Sequence, residues 1–311
     1  MRPPGRRASA RALSVVLAAL LATGGAEPRA SGGSGGSGGC GAAAGGGAAA
    51  ADSAADSAPH SAADSALHSA ADSAAALPAV TLPAGLHLEY GLSLGPIHAG
   101  HASLGVGPPR QVDGVEANRV TLSIEGGGLF LRLDDSLSSW IATEPLRTLR
   151  SVRRLHEGPH RDAYRIELTG AGGRYRIVSL DRGGDADAAD GPARDDASGP
   201  MPPVPLDQLA VLFLPRALAL EEGSERAVDQ FFECRKNPIR VRVLGRERLR
   251  TPAGRFDVVR LGVVIPNTGL FAPKRKARVY VTDDTARTVV QLTAHTGLGT
   301  LKLYLTGRGD G

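Results

Sequence analysis

The segment His156–Glu157–Gly158–Pro159–His160 spells the zinc-protease pattern HExxH. That chemistry needs both imidazoles on one helix face, with the glutamate turned toward a metal-bound water. Gly158 and Pro159 are the poorest helix formers, so a polar turn between strands is expected instead. Gly32–Gly36 carries the letters of a nucleophile elbow, but a Gly/Ser spacer supplies neither the strand nor the helix that strains such a turn. His98 and His101 sit three apart in an expected strand. They should face opposite ways and could share a metal only across a bulge. Asp185, Asp187 and Asp190 miss the calcium-loop spacing and have no downstream glutamate in place, so they read as a solvated loop. No catalytic residue, metal site or cofactor is expected.

Cations offer a second kind of chemistry. Arg240, Arg242, Arg246, Arg248 and Arg250 share parity on an expected strand, and Lys274, Arg275 and Lys276 follow. A ladder of guanidinium groups can hold phosphate, carboxylate or anionic head groups. Arg240, Arg242, Lys274, Arg275 and Lys276 are therefore the candidate anionic-ligand face. The competing reading is a solvated outer face that guards a sheet edge against aggregation.

The elements that position these residues are strands. In Arg240–Leu305, Val241 and Val243 interleave with Arg240 and Arg242, as on a one-sided strand. Phe256, Val258, Val259, Leu261, Val263, Val264 and Ile265 predict a strand apolar on both faces, interior to a sheet. Thr251, Pro252 and Gly254 make the turn between them, since Pro252 cannot donate to a ladder and Gly254 tolerates positive φ. Phe256 is expected to anchor that turn and Asp257 to accept from its amides. Asp283 and Asp284 should cap the next turn, with Arg287 as partner.

Alternation begins at Leu86. Leu86, Leu88 and Tyr90 share one face, followed by Ala102, Leu104 and Val106, then Val120, Leu122 and Ile124. Further strands are expected at Ser139–Thr143, Thr148–Leu155, Tyr164–Leu168 and Tyr175–Leu180. Asp181–Pro205 should be a disordered polar loop. One helix is expected, Leu206–Leu218, amphipathic, with Pro215 kinking or ending it. The chain then returns to strands at Arg226–Phe232, Ala277–Val281, Val289–Ala294 and Thr300–Leu305.

Residues 1–26 join a basic start, an apolar run and small residues, the parts of a signal peptide, with a run too short to span a bilayer. Residues 27–78 form a Gly/Ser/Ala-rich spacer with the octapeptide repeats SAADSAPH, SAADSALH and SAADSAAA, which offer only methyl groups to bury. Residues 79–311 are the expected β-rich domain. Of the formal +4 on 311 residues, the four arginines of the first segment cancel against the spacer's excess acid, leaving the domain modestly basic. Nucleic acid is not an expected partner. Of the two cysteines, Cys234 is expected as a buried thiol, though an oxidising compartment permits a bridge to Cys40.

Tyr90 ahead of GPIHAG at Gly95–Gly100, LDQLAVLFLPRAL, TPAGRFD at Thr251–Asp257 and VYVTDDTARTVVQL at Val279–Leu292 together resemble domain-of-unknown-function family 3108. The resemblance implies an exported bacterial protein with an antiparallel curved sheet or partly open barrel and one packed helix, located in the periplasm or cell envelope. It transfers no catalytic residue. The expected function is a non-enzymatic module holding a lipid-like or amphipathic ligand in the curved sheet. The alternative is a scaffold binding a glycan or envelope protein through the arginine-bearing face.

Overall fold

The computed structural model describes residues 77–128, 131–157, 160–168, 173–180, 193–266, 272–296 and 299–309. The expected signal peptide, residues 27–76 of the expected spacer with Cys40, the elbow pattern and Asp185, Asp187 and Asp190 lie outside them.

Eight strands form a first meander: β1 (His87–Leu94), β2 (Ile97–Val112), β3 (Val115–Gly128), β4 (Leu131–Thr143), β5 (Leu146–Glu157), β6 (His160–Glu167), β7 (Arg174–Leu180) and β8 (Ala193–Pro200). Helix α1 (Gln208–Phe213) runs directly into a 3₁₀ turn, Leu214–Ala217. Six strands form the second meander: β9 (Glu225–Val228), β10 (Ile239–Thr251), β11 (Gly254–Val264), β12 (Arg278–Thr282), β13 (Val289–Thr296) and β14 (Gly299–Gly309). β14 pairs with β1, so the 14-stranded antiparallel sheet runs β8 through β1, then β14 back to β9. The ends, β8 and β9, are not paired with each other, and the sheet does not close into a barrel.

The alternating residues named above form the inner face: Leu88, Tyr90, Leu104, Val120, Leu122, Ile124, Val241 and Val243 all join one buried cluster. Leu77, Val80 and Leu82, just before β1, join it too. α1 lies against the inner face, its Leu209, Val211 and Phe213 in one buried cluster with Leu104 and Leu122 of the first meander and Val241, Val263 and Val279 of the second. Pro215 lacks an amide hydrogen, and the helix passes into the 3₁₀ turn where it enters.

Four expectations need correction. The Asp181–Pro205 segment contains β8, because its backbone completes the β7 ladder and Gly199 leaves room for the Tyr175 ring. Alternation is absent from ARDDASGP, so side-chain pattern could not reveal it. His98 and His101 do not point apart, since a bulge at Ala99 brings their ring centroids to 5.9 Å. Gly100 allows that bulge: a Cβ there would sit 2.2 Å from the Glu125 carbonyl oxygen. β11 is buried on both faces only at Val258–Val259, and its other outward residues are partly exposed. Cys234 is half-buried and disulfide-bonded rather than a buried thiol.

Candidate functional site

The arginines of β10 lie opposite carboxylates. Arg246 Nε donates to Asp283 Oδ2 at 2.9 Å, and its Nη2 donates to the Leu220 carbonyl at 2.8 Å. Arg248 Nε donates to Asp257 Oδ1 at 2.9 Å. Arg240 approaches Glu225 at 3.5 Å, and Arg260 of β11 approaches Glu247 at 3.3 Å. Asp257 thus receives Arg248 through its side chain, not the turn amides, while its carbonyl accepts the Asp283 amide at 2.9 Å. Arg242 is exposed, and the register shift between Val243 and Gly245 puts Arg240 and Arg242 on the opposite face from Arg246 and Arg248, so the expected single ladder is broken. Arg275, just before β12, reaches the His295 carbonyl on β13, three strands from β10.

The turn residues form a linked set. Gly254 adopts φ 136°, and Thr251 pairs with it across the turn, leaving Pro252 and Ala253 at its tip. Phe256 is half-buried beneath the Arg308 guanidinium. Asp284 Oδ1 accepts from the Thr282 hydroxyl at 2.6 Å and the Arg287 amide at 3.1 Å. Arg287 Nη1 donates to Asp283 at 3.0 Å. That bond, with Arg246, holds the Asp283 carboxyl below the ordinary carboxylate range. His156 and His160 lie on β5 and β6, two strands rather than one helix. Among the described residues, no group of three His, Cys, Asp or Glu side chains could hold a metal.

The polar chemistry inside the curl was not anticipated from the sequence. Asp207 caps α1: its Oδ1 accepts from the Ala210 amide at 3.0 Å and the Thr148 hydroxyl at 3.1 Å. Its Oδ2 accepts from Ser139. Arg153, fully buried on β5, donates to Gln208 Oε1. Burial pulls Arg153 below its ordinary value, and the charge of Asp207 opposes that shift. Next to this group Lys236 donates to Glu233, with both side chains at most 4% exposed. The faint signals were Asp207 immediately before an apolar helix and the charged Glu233, Arg235 and Lys236 directly after Phe231–Phe232.

Beyond this polar clamp the interior is apolar. A narrow cavity of about 50 Å³ runs beneath α1, lined by Leu88, Leu122, Leu137, Leu209, Phe213 and Leu292 among others. The helix otherwise fills the concavity. Two buried donors on the cavity wall, Gln208 Nε2 and Arg216 Nε, have no hydrogen-bond partner among the described residues. Arg216 stacks over Phe213 and donates from Nη1 to the Thr81 carbonyl. Tyr90, also on the wall, donates to the Val289 carbonyl at 2.9 Å, and burial raises its pKa far above the ordinary phenol value.

A family model described as a protein of unknown function, DUF3108, matches residues 89–306, more than half of the chain. The chain belongs to the DUF3108 family. Among solved structures it resembles a β-barrel-like DUF1849 protein from Brucella abortus, at 10% identity and a TM-score of 0.45, covering 73% of this chain and 98% of that one. It also resembles a candidate exported protein with a YmcC-like fold from Bacteroides fragilis, at 10% identity, TM-score 0.27, and 75% and 99% coverage. A third is a candidate lipoprotein from Parabacteroides distasonis, at 8% identity, TM-score 0.26, and 74% and 97% coverage. No curated protein matches the chain.

Proposed function

We propose that this DUF3108 protein is an exported envelope module that holds one narrow apolar chain, such as an acyl tail, between α1 and the concave sheet. The observation that carries the reading is the apolar cavity whose wall bears two buried, unpartnered donors, Gln208 Nε2 and Arg216 Nε. A buried donor left unsatisfied costs free energy that a ligand acceptor recovers. An apolar tail with an oxygen-bearing head matches both features. About 50 Å³ is room for only a few water-sized centres, so a bulky ligand enters only if α1 lifts from the sheet. The second use considered, partner binding through the β10 arginines, has weaker support because Arg240, Arg246 and Arg248 already face acids.

The test is solvent extraction and mass spectrometry of protein purified from its native host, with displacement of a fluorescent fatty-acid probe as the second readout. An amphiphile recovered from the wild type and lost from Leu122→Trp, which fills the cavity, supports the reading. Clean protein that also ignores the probe refutes it.

A further inference from the structure

The apolar cavity beneath α1 has two unlike ends. Gln208 and Arg216, both on its wall, stand at opposite ends of the helix and the 3₁₀ turn that continues it. At the Gln208 end the wall is buried. Gln208 receives Arg153, which lies opposite Leu137, and Leu137 lies opposite Leu122; both leucines are at most 8% exposed. At the Arg216 end the lining is part-exposed, at Leu86, Leu212 and Arg287. These residues belong to one rim. Arg216 Nη1 donates to the Thr81 carbonyl, a few residues ahead of Leu86, and Asp284, which accepts the Arg287 amide, acts on Arg216 through its charge.

The two rim cations are in different states. Arg287 is committed to Asp283 and to the Thr282 carbonyl, and Asp284 is taken by the Thr282 hydroxyl and the Arg287 amide. Arg216 forms no ion pair among the described residues. Its plane lies over Phe213, one nitrogen reaches Thr81, and the buried Nε has no partner. A guanidinium keeps its proton in a protein, so a full positive charge stands at the rim of an apolar cavity with no counter-charge in contact. Partial burial of such a charge is costly, and an oxyanion on the planar guanidinium edge offsets that cost. A neutral head gives the same edge a weaker acceptor, and a cationic head is repelled. We infer that the cavity selects amphiphiles with an anionic head, carboxylate or phosphate, held by Arg216 at the rim while the tail runs beneath α1 toward Leu137. This rests on the apolar-chain reading above and adds the charge of the head and the direction of entry.

The test uses the full chain loaded with the neutral fluorescent probe phenylnaphthylamine. Its displacement is followed with decanoate, decyl phosphate, decanol and decyltrimethylammonium, each below its micelle-forming concentration and at constant ionic strength held with sodium chloride. Decanoate or decyl phosphate should compete about tenfold better than decanol, and decyltrimethylammonium should be weakest. Competition by decanoate alone assigns a carboxylate head, and by decyl phosphate alone a phosphate head. Arg216→Gln should weaken the anions about tenfold and leave decanol unchanged, a split that loss of packing alone does not produce. Arg216→Lys keeps the charge but not the planar fork, so it should fall between wild type and Arg216→Gln. Arg248→Gln, at an exposed pair, should match wild type. Far-ultraviolet circular dichroism checks that each variant is folded, and if Arg216→Gln is not, Arg216→Lys and the wild-type preference decide. Decanol competing as well as both anions, or a folded Arg216→Gln with the full anion preference, overturns this inference and leaves the apolar-chain reading standing. A protein that takes up neither the probe nor any of the four compounds overturns both.

Discussion

Two arginine groups of this sheet differ in what lies beside them. On β10 and β11, Arg240, Arg246, Arg248 and Arg260 are matched by Glu225, Asp283, Asp257 and Glu247 from their own or neighbouring strands and turns. On β3 to β5, Arg119 and Arg150 flank the Trp140 ring, and Arg150 lies 3.7 Å from Asp113 and opposite Glu167 in register. The denser run of arginines along the chain is answered by acids in space. A run of like charges along a strand says little about the local field until the facing strand is known, because cross-strand neighbours come from distant sequence.

The buried pair beneath α1 sets the upper end of the scale on which these ion pairs should be ranked. Glu233→Gln leaves the Lys236 ammonium, 2% exposed, without its counter-charge, and should cost about 3–5 kcal/mol in urea unfolding. The double replacement Glu233→Leu/Lys236→Met should recover most of that loss. If the single variant costs no more than a surface pair, the contrast between inner and outer charges fails. Asp207→Ala removes the cap of α1 and the acceptor of Ser139 and Thr148, and should cost about 2 kcal/mol.

Asp135 tests the intermediate case by pH. Its carboxyl is 1% exposed, with Oδ1 accepting the His156 amide at 2.8 Å and Oδ2 unpartnered. Burial raises its pKa above the ordinary carboxylate value. A raised folded value means the native state binds the proton more tightly. The contribution is therefore complete below the unfolded pKa and lost as pH rises through the folded one. Carboxyl NMR should find Asp135 titrating above the ordinary aspartate range, and Asp135→Asn should remove that part of the stability–pH slope. The smallest effect belongs to the exposed ladder. Arg246→Ala should cost less than about 1 kcal/mol and less still in high salt. Arg248, whose pair is 73% and 70% exposed, should be replaceable without a measurable change in the unfolding midpoint. A large loss at either position would make β10 a structural clamp instead of a solvated face.

Much of the sheet was legible because burial on one side imposes a two-residue period, visible at Leu88–Tyr90–Leu92, Leu122–Ile124 and Val241–Val243. The helix was legible from its apolar stripe and its end from Pro215. β8 was not, because an edge segment is recruited by backbone pairing alone and needs no alternating side chains. The cavity-wall donors Gln208 and Arg216 were hidden for a related reason. A polar residue on an amphipathic helix looks solvated until the surface that covers it is known.

By itself the amino-acid order determined which segments extend, where they turn and which side of each strand is apolar, since those follow from neighbours a few residues apart. Only the folded sheet decided which arginines meet acids, that α1 fills the concavity and that Trp140 lies between two guanidinium groups. These depend on register between distant strands, where a slip of one residue turns every side chain to the other face.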